Sequence, residues 1–528
     1  MGDRRLGRRA VVSASMAVVL GGLGVAGSEL LREASIAAGF GTIPSLDAFF
    51  GVWIVPALIV SSSVYLGKLA IVPIVTAHVE SKGESARSDL SELLGNIFLI
   101  SLALAVLLIA LGPWLVRLIL PGLAEDLAQE AEAALKNLSP YLIGGLLSAY
   151  FASILQARRQ FIAASTTRAI PNIAVVVGVL FFAKVGVGVL AWTLSLGALF
   201  QAFVLWLCLG RSRLWLFPVR LRRSPLLRQV GTVIWAPAIL LGLKSLALVI
   251  DRTCASVLGP GAVSGLNYAH RLAIGAHMLL SGTAFTVSIP FVAALYSRGQ
   301  DTTAERLLQR AVYVLVFVLA PLVMILTAFG SDVVGVLLMR GQFDEQSAVL
   351  TGTTLAVFAW ALLPDSASAI LSAPYYARAK PRVPLRVLGT IAPLHLLLVR
   401  PLSLIWGVPG IALASVVTAF AGAYAMGVRA RRDRQSKLFG PQEKRTLQGI
   451  AVGSVTILLL GYAMRELPWY PDLSEPLFPR ALALCCSGAF LLTTYLIIVS
   501  VISRESPSGL LRHLVSRSEP QMDDRFSA

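Results

Sequence analysis

The sequence predicts an all-α polytopic membrane protein of about fourteen transmembrane helices, built as two six-helix lobes plus two extra C-terminal helices. Three observations predict it: repeated apolar runs, a one-sided distribution of basic residues, and an internal repeat. Of the 528 residues, 56% are hydrophobic and 14% are Asp, Glu, Lys or Arg, whereas soluble chains average about 25% charged residues. At a mean hydropathy of +0.77 the polar residues are too few to cover water-soluble cores, which excludes a string of globular domains.

Apolar stretches long enough to cross about 30 Å of hydrocarbon as helix fall near 10–40, 46–78, 94–120, 138–156, 165–183, 187–209, 229–257, 262–296, 311–330, 351–376, 387–406, 409–427, 449–464 and 481–502. The first follows a basic segment, Met1–Arg9, as a secretory signal would. It runs past Gly27 into Glu29 and Arg32 without a convincing cleavage site, so it reads as an uncleaved span. Between the third and fourth runs, Glu125, Asp126, Glu130 and Glu132 sit among alanines and leucines, and Leu123–Leu138 reads as a short surface helix at the membrane interface. Prolines such as Pro56, Pro171, Pro237, Pro321 and Pro393 punctuate the spans. Each permits a bend, but prolines are common in membrane helices, so none singles out a gate.

An even number of spans puts both termini on one side. The termini and the loops 79–93, 157–168, 210–228, 297–310, 377–386 and 428–448 hold 33 Lys and Arg, while the opposite loops hold five: Lys136, Lys184, Arg340, Arg465 and Arg480. The positive-inside rule therefore places both termini in the cytoplasm. The net charge of +17 is then topological signal and attraction to anionic membrane lipids, and nucleic acid is not an expected partner. No extramembrane segment is long enough for a soluble catalytic domain, and no G-x-x-x-x-G-K-[ST] loop occurs, so ATP hydrolysis is not expected. Cys208, Cys254, Cys485 and Cys486 lie within apolar runs without metal-like spacing to a histidine. No disulfide framework, metal site or cofactor is expected.

Shifting the chain by 220 residues aligns Arg32 with Arg252, Gly39 with Gly259, Gly41 with Gly261, Leu46 with Leu266 and Asp47 with Asn267; Ala157-Arg158 meets Ala377-Arg378. The turn between spans one and two thus matches that between spans seven and eight. An even spacing of six spans makes the repeats parallel, related by an axis along the membrane normal with a cavity between them. The expected organisation is an N-terminal lobe, 1–228, a C-terminal lobe, 229–448, two further spans within 449–502, and a cytoplasmic tail, 503–528.

Seven basic residues fall inside spans: Arg32, Lys68, Arg117, Lys244, Arg252, Arg271 and Arg400. Each costs about 2.5–3.5 kcal/mol at mid-membrane on insertion scales, so each needs a partner, an interface or a watery cavity. Arg117 and Arg400 lie near span ends and can snorkel. Glu29, Arg32 and Glu33 share one face of the first helix; Lys244 and Asp251 share a face of the seventh; His270 and His277 share a face of the eighth, beside Arg271. Such groups either lock helices together as buried ion pairs or line a cavity, and their concentration in spans one, two, seven and eight favours the cavity. Asp365, directly after Pro364, is equally an ion ligand or a hydrogen-bonded structural residue.

The run Leu31-Arg-Glu-Ala-Ser-Ile-Ala-Ala-Gly-Phe-Gly41, then Leu46-Asp-Ala-Phe-Phe50 and Pro56, resembles the start of the MurJ/MviN lipid II flippases of the multidrug/oligosaccharidyl-lipid/polysaccharide exporter superfamily. Gly261-Ala-Val-Ser264, Leu266-Asn-Tyr-Ala-His-Arg-Leu272, Ile289-Pro290, Arg340-Gly-Gln-Phe-Asp344 and Tyr375-Tyr-Ala-Arg378 with Pro384 continue the resemblance over nearly the whole chain. It implies a fourteen-helix protein of the bacterial cytoplasmic (inner) membrane with a central cationic cavity. Arg32, Asp47 and Arg271 match the family's cavity arginines of spans one and eight and its aspartate. Lys68, Lys244 and His270 join them as substrate-binding candidates, while Glu29, Glu33, Asp251, Arg252 and Asp365 are candidates for lobe ion pairs or coupling. Four positions depart: Ala26 and Val60 stand where the family carries arginines, and His270 and Ile274 where it carries acids.

The function implied is that of a flippase moving a polyprenyl-pyrophosphate-linked saccharide, lipid II foremost, from inner to outer leaflet by alternating access. It would act as a monomer, without enzymatic chemistry, with the lipid-linked glycan, membrane lipids and a coupling cation as partners. The departures make an exopolysaccharide or O-antigen repeat unit the alternative substrate. A membrane glycosyltransferase, polymerase or ligase needs acid/base or metal-binding carboxylates on a substantial outer loop, where this chain offers scattered acids and no histidine. A drug/cation antiporter of the same superfamily would need an acidic cavity, and here it is basic.

Overall fold

A computed structural model describes residues 2–82, 86–158, 160–211, 214–217, 225–276, 295–296, 300–378, 380, 382–432 and 441–504, and among them there are helices and turns but no strand. In chain order the helices are α1 (Gly2–Phe40), α2 (Pro44–Leu66), α3 (Val72–Lys82), α4 (Ala86–Ala110), α5 (Gly112–Ile119), α6 (Glu125–Ala157), α7 (Phe161–Thr166), α8 (Ile170–Phe182), α9 (Gly188–Arg211) and α10 (Pro225–Ser256). They continue as α11 (262–276), α12 (Asp301–Leu338), α13 (Glu345–Ala377), α14 (Arg382–Trp406), α15 (Val408–Arg432), α16 (Pro441–Arg465) and α17 (Leu477–Ser503).

Among the described residues, 11 helical runs are long and apolar enough to cross a membrane. Of the three other expected spans, that near 262–296 runs into residues outside the described set, while those near 10–40 and 229–257 are described as backbone but include side chains outside it. As backbone, α1 and α10 are 39 and 32 residues long, beyond the roughly 20 that a bilayer requires. Two expected boundaries are corrected. The stretch 123–138 is no separate surface helix: it opens α6, one helix of 33 residues. The reason is a buried stripe of Ala131, Ala134, Leu135 and Leu138, with Glu125 and Asp126 placed in the first turn, where the helix dipole favours acids. The third span begins earlier, at Ala86, and breaks at Leu111, after which Pro113 starts α5.

By internal packing the chain forms two compact units: residues 1–267 with 340–347, and 268–339 with 348–528. In the first, α6 is the central helix, packed on α2, α4 and α9. Gly144 lies where a Cβ would strike the backbone at Ala198, so glycine lets α6 and α9 meet closely, as membrane helices do at small residues. The Tyr150 hydroxyl donates to the Leu90 carbonyl at 2.6 Å, tying α6 to α4 amid Leu93, Ile154, Leu205 and Leu209; such a bond contributes about 1 kcal/mol. α10 also packs within this unit, on α2 and α5. In the second unit α12 packs on α16 and α17, and α14 pairs with α15. The Tyr495 hydroxyl donates to the Phe317 carbonyl at 2.9 Å, which fastens α17 to α12.

Candidate functional site

At one end of the first unit three turns meet, each containing a glycine in the left-handed region: Gly41 (φ 62°), Gly261 (φ 82°) and Gly341 (φ 61°). Other L-residues adopt this conformation only under strain. The Gln342 amide donates to the Ala38 carbonyl at 3.0 Å, and the Thr42 and Ser347 hydroxyls are 2.7 Å apart. A Cβ on Gly41 would strike the Gln342 carbonyl, and one on Gly341 the Ala38 carbonyl. The turns therefore interlock backbone to backbone.

Asp47 fastens this end. It lies in the first turn of α2, 4% exposed. Its Oδ2 accepts the Gly261 amide at 2.6 Å and its Oδ1 the Ser264 amide at 2.7 Å. The first amides of a helix lack intrahelical partners, so one carboxylate from α2 satisfies the start of α11 with two charge-assisted bonds aligned with the helix dipole. Beside it, Arg252 donates to the Asn267 side-chain oxygen at 3.1 Å, and its charge acts on Asp47. Asp251 and Arg252 are buried.

Two turns before Gly41, Arg32 is also buried. One guanidinium nitrogen donates to Asn172 of α8 at 2.7 Å and the other pairs with Glu33, while Asn172 donates to Ser28 at 2.9 Å. Glu29, on the same face, is exposed and acts on Arg32 through space. Of the three residues expected to cluster, Arg32 and Glu33 pair, and Asn172 joins them as a partner that hydropathy concealed. Its one sequence signal is a lone amide in the apolar run of α8.

Lys68 is exposed on a five-residue π-turn, Gly67–Ile71, that joins α2 to α3. A π-turn inserts extra backbone into the helix and re-aims the side chains that follow. Arg168, in a 3₁₀ turn between α7 and α8, acts on Lys68 electrostatically; charge counting had absorbed it into the topology. Val60, at one of the departures, faces Gly145 of α6, so its methyls pack at a helix contact. Arg271 and His270 belong to the second unit, with the His270 ring 5.5 Å from that of Phe358. Asp365 is exposed on α13. The side chain of Lys244, and His277 entirely, lie outside the described residues.

Known proteins share this sequence pattern and architecture. A family profile described as "Lipid II flippase MurJ" matches residues 36–467. The chain is 26% identical over 505 residues to the "Probable lipid II flippase MurJ" of Rhizobium meliloti, covering 92% of this chain and 93% of that one. It is 26% identical over 370 residues to the "Lipid II flippase MurJ" of Burkholderia cenocepacia, covering 68% and 72%. A solved "Lipid II flippase MurJ, inward closed conformation" superposes with a TM-score of 0.76 at 20% identity, over 93% of this chain and 99% of that one. An inward-facing multidrug resistance MATE family transporter superposes at 0.63 with 14% identity, over 77% and 94%. These structural likenesses establish the fold.

Proposed function

The chain belongs to the lipid II flippase MurJ family, and from that premise we propose that it moves a polyprenyl-pyrophosphate-linked saccharide, lipid II foremost, from the inner to the outer leaflet by alternating access. One observation carries the mechanism: the Asp47 carboxylate holds the start of α11 while the turns at Gly41 and Gly341 interlock. The charge count assigns this end to the outer face, so the bonds constitute an outer closure. Hydrogen bonds to a charged group contribute roughly 1.5–3 kcal/mol each. Opening therefore needs an interaction that favours the open state by a comparable amount.

Substrate binding supplies it. Arg32 now divides its guanidinium between Glu33 and Asn172. A pyrophosphate would replace the carboxylate and take the planar fork bidentately. Lys68, Lys244, His270 and Arg271 are the further candidates for holding the anionic headgroup, and Glu29, Glu33, Asp251, Arg252 and Asp365 those for ion pairs or for coupling to a cation. In this mechanism the substrate changes leaflet with no bond made or broken. The protein acts as a monomer with both termini in the cytoplasm.

A second substrate class, a lipid-linked exopolysaccharide or O-antigen unit, is favoured by Val60, which faces Gly145 where the family carries an arginine. Growth of bacteria depleted of their own lipid II flippase decides between them. Expression of this chain should restore growth, more weakly than a family member with both arginines. No rescue by protein verified in the membrane would exclude lipid II.

A further inference from the structure

α12 leaves helical geometry at Phe329 (φ −117°, ψ 23°), which kinks it. Side chains from outside α12 reach the kink. Arg465, the last residue of α16, donates from Nη1 to the Ala328 carbonyl at 3.2 Å, and its Nε lies 3.3 Å from Asp332 Oδ2. One guanidinium thus grips the residues before and after the kink. One turn earlier on α16, the Tyr462 hydroxyl donates to the Thr327 carbonyl at 3.5 Å, and Gly461 lies where a Cβ would meet Ala328 and Phe329. The Tyr470 ring, from the α16–α17 connection, stands 5.7 Å from that of Phe329.

The far end of α12 is held as well. Arg480, in the first turn of α17, is buried, its guanidinium lies against Gly335, and Nη1 is 3.6 Å from Met339 Sδ. A cation at a helix C-terminus meets the negative end of its dipole. Arg465 and Arg480 are two of the five basic residues expected on the outer side, and both converge on the segment 330–339. From Met339 the chain passes directly into the turn 340–347, which carries Gln342 and Ser347 of the outer closure. A segment of nine helical residues is a stiff arm of about 13 Å, so a displacement at one end reaches the other.

We propose that Asp332, Arg465 and Arg480 are positioning residues for transport: they fasten the arm of α12 to the α16–α17 pair and so set the engagement of the outer turn 340–347. The helices outside the internal repeat then control the closure. This rests on the alternating-access mechanism, and its test reads the turn itself and not the substrate. Thr42→Cys with Ser347→Cys, in a chain whose Cys208, Cys254, Cys485 and Cys486 are replaced by serine or alanine, reports closure by its rate of oxidative cross-linking in membranes. Asp332→Asn and Arg465→Gln should slow cross-linking about tenfold, and Arg465→Lys, which keeps the charge but loses the two-site grip, about threefold. Arg400→Gln, an exposed arginine elsewhere in the second unit, should match the parent. Arg465→Lys preserves folding if the stronger variants do not insert. Parental cross-linking rates in Arg465→Lys and in every inserted variant of Asp332 or Arg465 would overturn the proposal, whatever the substrate proves to be.

Discussion

Arg32 and Arg252 occupy matching places in the internal repeat, yet they are held differently. Arg32 shares its guanidinium between a carboxylate, Glu33, and the Asn172 amide of α8. Arg252 donates to Asn267, the residue that the repeat aligns with Asp47. The turns kept the same left-handed glycine, Gly41 and Gly261, while the position six residues on diverged into an acid in one copy and an amide in the other. The acid reaches across to the amides of α11; the amide stays with its own arginine. That one side chain distinguishes the two matched turns: Asp47 bonds the start of α11 as a lock, whereas Asn267 bonds Arg252.

The largest effect should come from removing the lock. Asp47→Ala leaves the Gly261 and Ser264 amides without acceptors, and an unsatisfied buried donor costs about 1–3 kcal/mol. Transport should fall at least about tenfold and thermal stability should drop. Asp47→Asn makes the first copy resemble the second: one side-chain oxygen remains and the charge is lost, so an intermediate defect is expected in vesicle flipping. Parental activity of Asp47→Asn would mean that the charge at this position is irrelevant.

Next in size is the contrast between the two arginines. Arg32→Lys cannot reach Glu33 and Asn172 with one planar group, and transport should slow about tenfold. Arg252→Lys keeps the charge and needs to reach only Asn267, so it should slow transport less. Arg117→Lys, at an exposed position in the last turn of α5, should leave flipping unchanged. Equal defects at 32 and 252 would show that the copies work symmetrically.

The smallest effect concerns pH. The Ser347 hydroxyl and amide hold the Asp344 carboxyl below its usual range. A folded-state pKa that is depressed stabilises the structure above the unfolded value, near 4, and the contribution is lost as pH falls through the folded value. The small part of the parent protein's thermal stability that this pair contributes, read by thermal shift, should hold from neutral pH to about 4 and decline below it. Asp344→Asn should abolish that decline.

Hydropathy and charge made the span order and family legible, because crossing a bilayer demands long apolar runs and cytoplasmic arginines whatever the tertiary detail. The acids at 125–132 misled because acids near a helix start look the same whether the helix lies on the surface or enters the core; the buried alanines of α6 decide it. Asp47 stood out in the sequence as a candidate, but its partners, the Gly261 and Ser264 main-chain amides, leave no trace in side-chain identity. The π-turn at Lys68 and the kink at Phe329 were equally invisible, since neither residue is a proline or neighbours one. Arg465 and Arg480 entered the sequence reading only as members of a charge count, because their contacts with Ala328, Asp332 and Met339 join residues more than a hundred positions apart.

The most direct test combines lock and transport in one preparation. Purified protein carrying Thr42→Cys and Ser347→Cys, in the same background lacking native cysteines, is reconstituted into vesicles with fluorescent lipid II, and label reaching the opposite leaflet is followed without ATP. Flipping should sit at the protein-free rate when the pair is oxidised and resume on reduction. Flipping that persists across a fully formed cross-link, or that is missing from the reduced protein as well, would contradict transport through an outer closure built on Asp47 and the turn 340–347.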